Sequence, residues 1–135
     1  MSETRLPALE TRFHQPEGWH WDYFKNTAGR RLRFGIVVPA NSRPAAIVVG
    51  LQGLSEFAEK YFETARTLLN HNLGFAMIDW QGQGKSDRHL PNRDKRHSDG
   101  FEDDMSDLHQ FLTGHVIPAA SRSGGPRVPL VMLAH

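Results

Sequence analysis

A chain of 135 residues is long enough for one modest domain and too short for two. With 39% hydrophobic residues, 23% charged residues and a formal net charge of +1, it is neither a solvated disordered chain nor one with the basic excess of a nucleic-acid binder. Cysteine is absent, which removes disulfide frameworks and thiolate metal sites.

Residues 1–18 hold Pro7, Pro16 and Gly18 with no sustained period and read as an irregular segment. Residues 19–135 read as the structured part. Residues 20–25 are rich in aromatics, 26–29 carry turn chemistry, and 31–38 alternate. Leu32, Phe34, Ile36 and Val38 then share one face while Arg31 and Arg33 point away, which predicts an antiparallel hairpin at a sheet edge. Residues 45–51, 75–80 and 128–134 are nearly continuous apolar runs, the pattern of parallel strands covered on both faces. Runs this short cannot span a membrane, which needs ~20 apolar residues. The opening Met-Ser-Glu-Thr-Arg has no apolar core of a secretory signal, so a cytoplasmic location with at most peripheral membrane contact is expected.

Two helical stripes separate these runs. The first joins Phe57, Tyr61, Ala65 and Leu68, widened by Phe62 and Leu69, with Ser55 placed to cap it, Glu56 and Glu59 at its positive end, and Asn72 or Gly74 placed to end it. The second joins Phe101, Met105, Leu108, Leu112 and Val116, opened by Asp99 with Glu102 and stopped by Pro118. The predicted order is β-β-β-α-β-α-β, with right-handed crossovers joining the parallel strands. Residues 85–100 and 121–126 read as loops. The former leaves the C-terminal end of a strand, the edge where open α/β sheets bind ligands.

Two motifs sit at that edge. Gln52-Gly53-Leu54-Ser55-Glu56 joins a strand to a helix start, where Gly53 permits a tight turn and the amides of Leu54 and Ser55 can face an anion or a developing oxyanion. An ordinary strand-to-helix turn fits the same residues. The second is Asp79-Trp80-Gln81-Gly82-Gln83-Gly84-Lys85-Ser86. Its tail imitates a phosphate loop, but Asp79 stands where that loop needs glycine, and Pro91 with polar residues follows in place of a helix. The dinucleotide fingerprint fails likewise, with Asp87 in place of its last glycine. The histidines show no metal-ligand spacing and read as solvated surface residues. No serine has small residues on both sides as a strained nucleophile elbow requires.

Together these stretches resemble the α/β-hydrolase superfamily, and within it the lysophospholipase and monoacylglycerol-lipase group of serine hydrolases. The resemblance runs from about Trp21 to His135. It rests on Gln52 to Tyr61, on Asp79 to Arg88, and on Phe101 with Asp107-Leu108, in that order and spacing. Gln52 stands where many members have histidine, and Gln81 where they have arginine; a backbone role is unaffected by either change. The resemblance implies the N-terminal half of an α/β-hydrolase sheet, an antiparallel hairpin followed by parallel strands with crossover helices. It implies acyl-ester hydrolysis of a lipid or other ester by a serine, a histidine and an acid, without metal or cofactor. By the same resemblance Leu54 N–H is the oxyanion-hole donor, worth about 3–4 kcal/mol in the transition state. Gln52, Gly53, Ser55, Glu56, Asp79, Gly82, Gly84 and Ser86 shape the site around it.

In this family a small residue and a histidine precede the nucleophile. Ala134 and His135 match them, so the nucleophile is expected at position 136, and His135 is its neighbour and not the catalytic base. The chain then reads as an N-terminal piece, inactive by itself, whose partner is the remainder of the hydrolase domain. Two alternatives stay open: an epoxide hydrolase or dehalogenase with an aspartate nucleophile, and a non-catalytic binding protein.

Overall fold

Nearly every apolar run of the sequence becomes a strand of one five-stranded sheet. The computed structural model describes residues 14–53, 56–80, 83–87, 101–122 and 126–134. Strands β1 (His20–Lys25) and β2 (Arg31–Val37) pair antiparallel through a turn in which Gly29 takes φ 78° and the Asn26 side-chain oxygen accepts from the Arg30 amide at 2.9 Å. Next in chain order are β3 (Ala46–Leu51), β4 (Leu73–Ile78) and β5 (Leu130–Ala134). The sheet order is β1-β2-β4-β3-β5, with β2 antiparallel to β4 and with β3 parallel to both β4 and β5. The edge hairpin and the parallel centre expected from the hydrophobic pattern are both present.

Because side chains alternate across a strand, the sheet builds two cores. On one face Leu32, Phe34, Ile47, Val49, Ala76 and Ile78 pack with Phe111, Val116 and Ala120. On the other, Val37, Val48, Phe75 and Met77 pack with Trp19, Phe62 and Ala65. This corrects the expectation for β2. Arg31 is exposed, but Arg33 lies on the second face and is only 4% exposed. A one-sided edge strand does not describe β2, because β4 pairs with it and the helical layer covers its second face. Gly35 follows from the same layer: a Cβ there would overlap the Trp19 indole.

The helices differ from expectation in two places. A 3-10 turn (Ala58–Tyr61) leads into α1 (Phe62–Leu69), and Phe57 sits before that turn, 39% exposed, outside the buried stripe. Asn72, at φ 57°, closes the turn after α1, as its tolerance of the left-handed region allows. In the second helical stretch Pro118 stops nothing: α2 (Phe101–Phe111) passes through a π-helical segment (Leu112–Val116) into α3 (Ile117–Ser121), with Pro118 in the first turn of α3. Proline has no N–H to give and is tolerated in a first turn, and the wider π winding is where the ladder readjusts. The buried stripe is Asp107, Phe111, Val116 and Ala120, in which the π segment accounts for the five-residue step from Phe111 to Val116, while Met105 is 36% exposed. Asp99, proposed as the helix opener, is outside the described residues. Along β5, Val131, Met132 and Leu133 are 44–49% exposed.

Candidate functional site

The parallel strands β3, β4 and β5 end at one edge of the sheet, and antiparallel β2 begins there. Residues 52–53 follow β3, Asp79 follows β4, and Arg33 lies near the start of β2. The β3–β5 register pairs Leu51 with Ala134, so the turn opened by Gln52-Gly53 leaves the sheet beside the end of β5.

Asp79 is the centre of this edge. Its side chain is fully buried. Oδ1 accepts from Gln52 Nε2 and from the Ala58 amide, each at 2.8 Å. Oδ2 accepts from Arg33 Nε at 2.8 Å and from the Lys85 amide at 3.2 Å, and lies 2.6 Å from Arg33 Nη2. A buried carboxylate is tolerated when its lone pairs are filled and its charge is paired, and both conditions are met. One residue thus fastens the turn after β3, the start of the 3-10 turn, the loop after β4 and the core of β2.

Arg33 extends the cluster. Its two terminal nitrogens donate to Glu59, and its guanidinium lies over the Trp21 ring at 4.0 Å from the centroid. Burial by itself would lower the Arg33 pKa. The hydrogen bond to Glu59 and the proximity of Asp79 outweigh it and raise the value above the ordinary arginine range. The guanidinium is therefore a permanent cation between two carboxylates.

Around this core the loop backbones are tied individually. Glu56 accepts from the Gly53 amide at 3.0 Å and from the Tyr61 hydroxyl at 2.8 Å. Burial and then that hydrogen bond push the Tyr61 hydroxyl up to about 12. Gln83 Nε2 donates to the Gly53 carbonyl at 3.2 Å, and Trp80 Nε1 to the Gln52 carbonyl at 3.1 Å. The Ser86 hydroxyl donates to the Asp79 carbonyl at 2.6 Å and accepts the Arg33 amide at 2.8 Å. Gly84 takes φ 53°, and a Cβ there would run into the Asp79 carboxylate.

Of the residues singled out from sequence, Gln52, Gly53, Glu56, Asp79, Gly84 and Ser86 are brought together in this network. Leu54, Ser55, Gly82 and His135 lie outside the described residues. Arg33, Glu59 and Gln83 are not among the expected site residues and belong to the cluster as firmly as the rest. The only sequence signal for Arg33 was its position inside an apolar strand, a reading that alternation masked. The chemistry of the cluster is positional. Asp79 has no free lone pair to take a substrate proton, and Ser86 is 2% exposed with its hydroxyl committed at both ends. What the network does is hold the backbone at residues 52–53 rigidly at the sheet edge. Among the described residues no group of three His, Cys, Asp or Glu side chains is placed to hold a metal ion. No helix among them is long and apolar enough to cross a membrane. A cleft of about 550 Å³ lies at the opposite end of β2 and shares none of the described residues of the cluster.

Residues 42–135 match the sequence profile of the family described as serine aminopeptidase, S33. Nothing among curated protein sequences matches. Among solved structures, a carboxyl esterase from Bacillus coagulans superposes with a TM-score of 0.70 at 20% identity, over 89% of this chain and 37% of that one. A soluble variant of monoglyceride lipase from Saccharomyces cerevisiae, in complex with a substrate analog, gives a TM-score of 0.67 at 21% identity, over 86% of this chain and 34% of the lipase. An α/β hydrolase from Novosphingobium aromaticivorans gives a TM-score of 0.53 at 20% identity, over 73% and 32% of the two chains. The chain therefore spans about a third of the length of these structures.

Proposed function

The chain belongs to the serine aminopeptidase S33 family of α/β-hydrolases, and from that premise we propose that it supplies the oxyanion side of a carboxylic ester hydrolase of the lysophospholipase or monoacylglycerol-lipase type. The reaction belongs to the whole hydrolase domain. A serine at the position after His135 attacks the acyl carbonyl, a histidine takes its proton, and an acid orients that histidine. His135 stands beside the nucleophile and takes no proton. Leu54 N–H donates to the oxygen that becomes negative, and the neighbouring Gln52, Gly53, Ser55, Glu56, Gly82, Gly84 and Ser86 shape its surroundings. Asp79 is a positioning residue. A triad acid must accept from the catalytic histidine, and every Asp79 oxygen is already taken.

One observation carries this reading: the parallel register of β3 and β5, Leu51 opposite Ala134, which sets Gln52-Gly53 beside the end of β5 and so supports a nucleophile at the position after His135. The lipase and esterase among the structural neighbours support an ester as substrate. The test is the complete gene product assayed with lysophosphatidylcholine, a monoacylglycerol and an aminoacyl anilide, together with fluorophosphonate labelling. Ester turnover and a label at residue 136 are expected. Leu54→Pro removes the proposed amide donor and is expected to lower kcat by about 100-fold or more with folding retained. Preference for the aminoacyl anilide would replace the ester reading by peptidase activity. An aspartate at position 136 with no label would replace it by an epoxide hydrolase or dehalogenase. A folded Leu54→Pro enzyme with unchanged turnover would discard the oxyanion assignment.

A further inference from the structure

The cleft of about 550 Å³ lies between the β1–β2 hairpin and the helical segments that follow α2. We propose that it is a binding site for a small carboxylate with an apolar body, separate from the active-site edge and independent of the ester-hydrolase reading. Its volume falls within the ~300–1,000 Å³ common for small-molecule sites.

Its walls follow from register. His20 pairs with Ile36 and Asp22 with Phe34, so these four side chains lie on the same face of the hairpin. Phe34 and Ile36 provide an apolar floor. The His115 ring packs on Phe34 with centroids 4.4 Å apart and on Phe24 at 5.3 Å. His115 and Gly114 both line the cleft from the π-helical segment, a winding that concentrates at functional sites. A Cβ built on Gly114 meets nothing within 4 Å, so the glycine leaves open space on the lining.

The rim sets the sign of the ligand. Arg43 and Arg122 both line it and both are exposed. Asp22, the one carboxylate among the described lining residues, stands 3.7 Å from His20. Among the described lining residues two arginines stand against one acid, a net positive mouth over an apolar floor. That combination recognises a carboxylate head and an alkyl or aryl body. The cleft runs from the β1–β2 hairpin to the segment that enters β3 and the end of α3.

The experiment is isothermal titration of the protein at pH 7 with sodium hexanoate, with hexanamide as the uncharged comparison. Saturable hexanoate binding is expected, with hexanamide about tenfold weaker. Gly114→Leu puts a side chain into open space while replacing glycine by a better helix former, and is expected to weaken hexanoate binding about tenfold or more. Arg122→Glu reverses an exposed charge on the rim and is expected to weaken hexanoate but not hexanamide, which keeps the test decisive even if Gly114→Leu misfolds. Equal binding of acid and amide, indifference to Arg122→Glu, or no saturable binding would overturn the proposal. Binding that emerges only after removal of residues 1–13 would also overturn it, by assigning the cleft to the chain's own first segment.

Discussion

Replacing Asp79 with asparagine changes one atom and keeps the volume, which makes it a direct probe of the network. Each carboxylate oxygen faces at least two N–H donors: Gln52 and the Ala58 amide on Oδ1, Arg33 and the Lys85 amide on Oδ2. The asparagine NH2 group must occupy one of those positions and meet donors with a donor. The cheaper placement is at Oδ1, where Gln52 can flip its amide but the Ala58 N–H is left without an acceptor. An orphaned buried donor costs about 1–3 kcal/mol. Removing one charge of a buried pair costs about 3–5 kcal/mol, and here less, because Glu59 still faces Arg33. The sum is about 3–5 kcal/mol, a large part of the ~5–15 kcal/mol that holds a domain of this kind together. Urea unfolding followed by tryptophan fluorescence measures it, with Arg33→Met and the double variant completing a cycle. Asp79→Asn is expected to lower the midpoint without changing the slope, and the double variant to cost clearly less than the sum of the two singles. A loss below about 1 kcal/mol in the single variant, or strict additivity in the cycle, would refute the view that Asp79 and Arg33 act as one unit.

Three further outcomes follow from the same coordinates. Gly84→Ala forces a side chain into a left-handed backbone position and against the Asp79 carboxylate, and is expected to cost about 2–4 kcal/mol in the same unfolding assay, whereas Gly114→Ala is expected to be neutral or stabilising. Burial lowers the His115 pKa more than Asp22 raises it, so its stabilising share is complete above the ordinary histidine value near ~6.5 and is lost as pH falls through the depressed folded value; His115→Phe is expected to flatten the stability profile in that window when melting temperature is followed from pH 7 to pH 5. The Tyr61 hydroxyl is raised to about 12, so the share of stability it contributes with Glu56 is complete below about pH 10 and is lost as pH rises toward 12; near-ultraviolet titration of Tyr61→Phe is expected to lack the latest tyrosine transition.

Much of the fold was legible because hydrophobic period is a local property. The two-faced runs of β3 and β4, the alternating β2 and the turn residues between β1 and β2 each state their conformation within a few neighbours. The helical stretch from Phe101 was legible as a helix, but its winding was not. Pro118 reads as a stop, and only the packing of Val116 and Ala120 against the sheet makes the π segment and the continuation into α3 worthwhile. Likewise His115 reads as a surface histidine until Phe24 and Phe34 are placed beneath it.

The candidate site divides along the same line. Gln52-Gly53 and the Asp79–Ser86 motif announce themselves by residue type at strand ends, since tight turns and strand-to-helix junctions demand glycine and short polar side chains. Their sequence alone marks where a turn is expected, and at Gly84 the structure shows one. That Asp79 is a filled structural hub, that Arg33 is its buried counter-charge and that Glu59 completes the pair depend on contacts 21 to 46 residues apart along the chain. Ion pairing of that kind leaves no periodic trace, because it is set by which strand ends the sheet order brings side by side. The pairing of β2 with β4, and of β3 with β5, was decided only when the two cores closed.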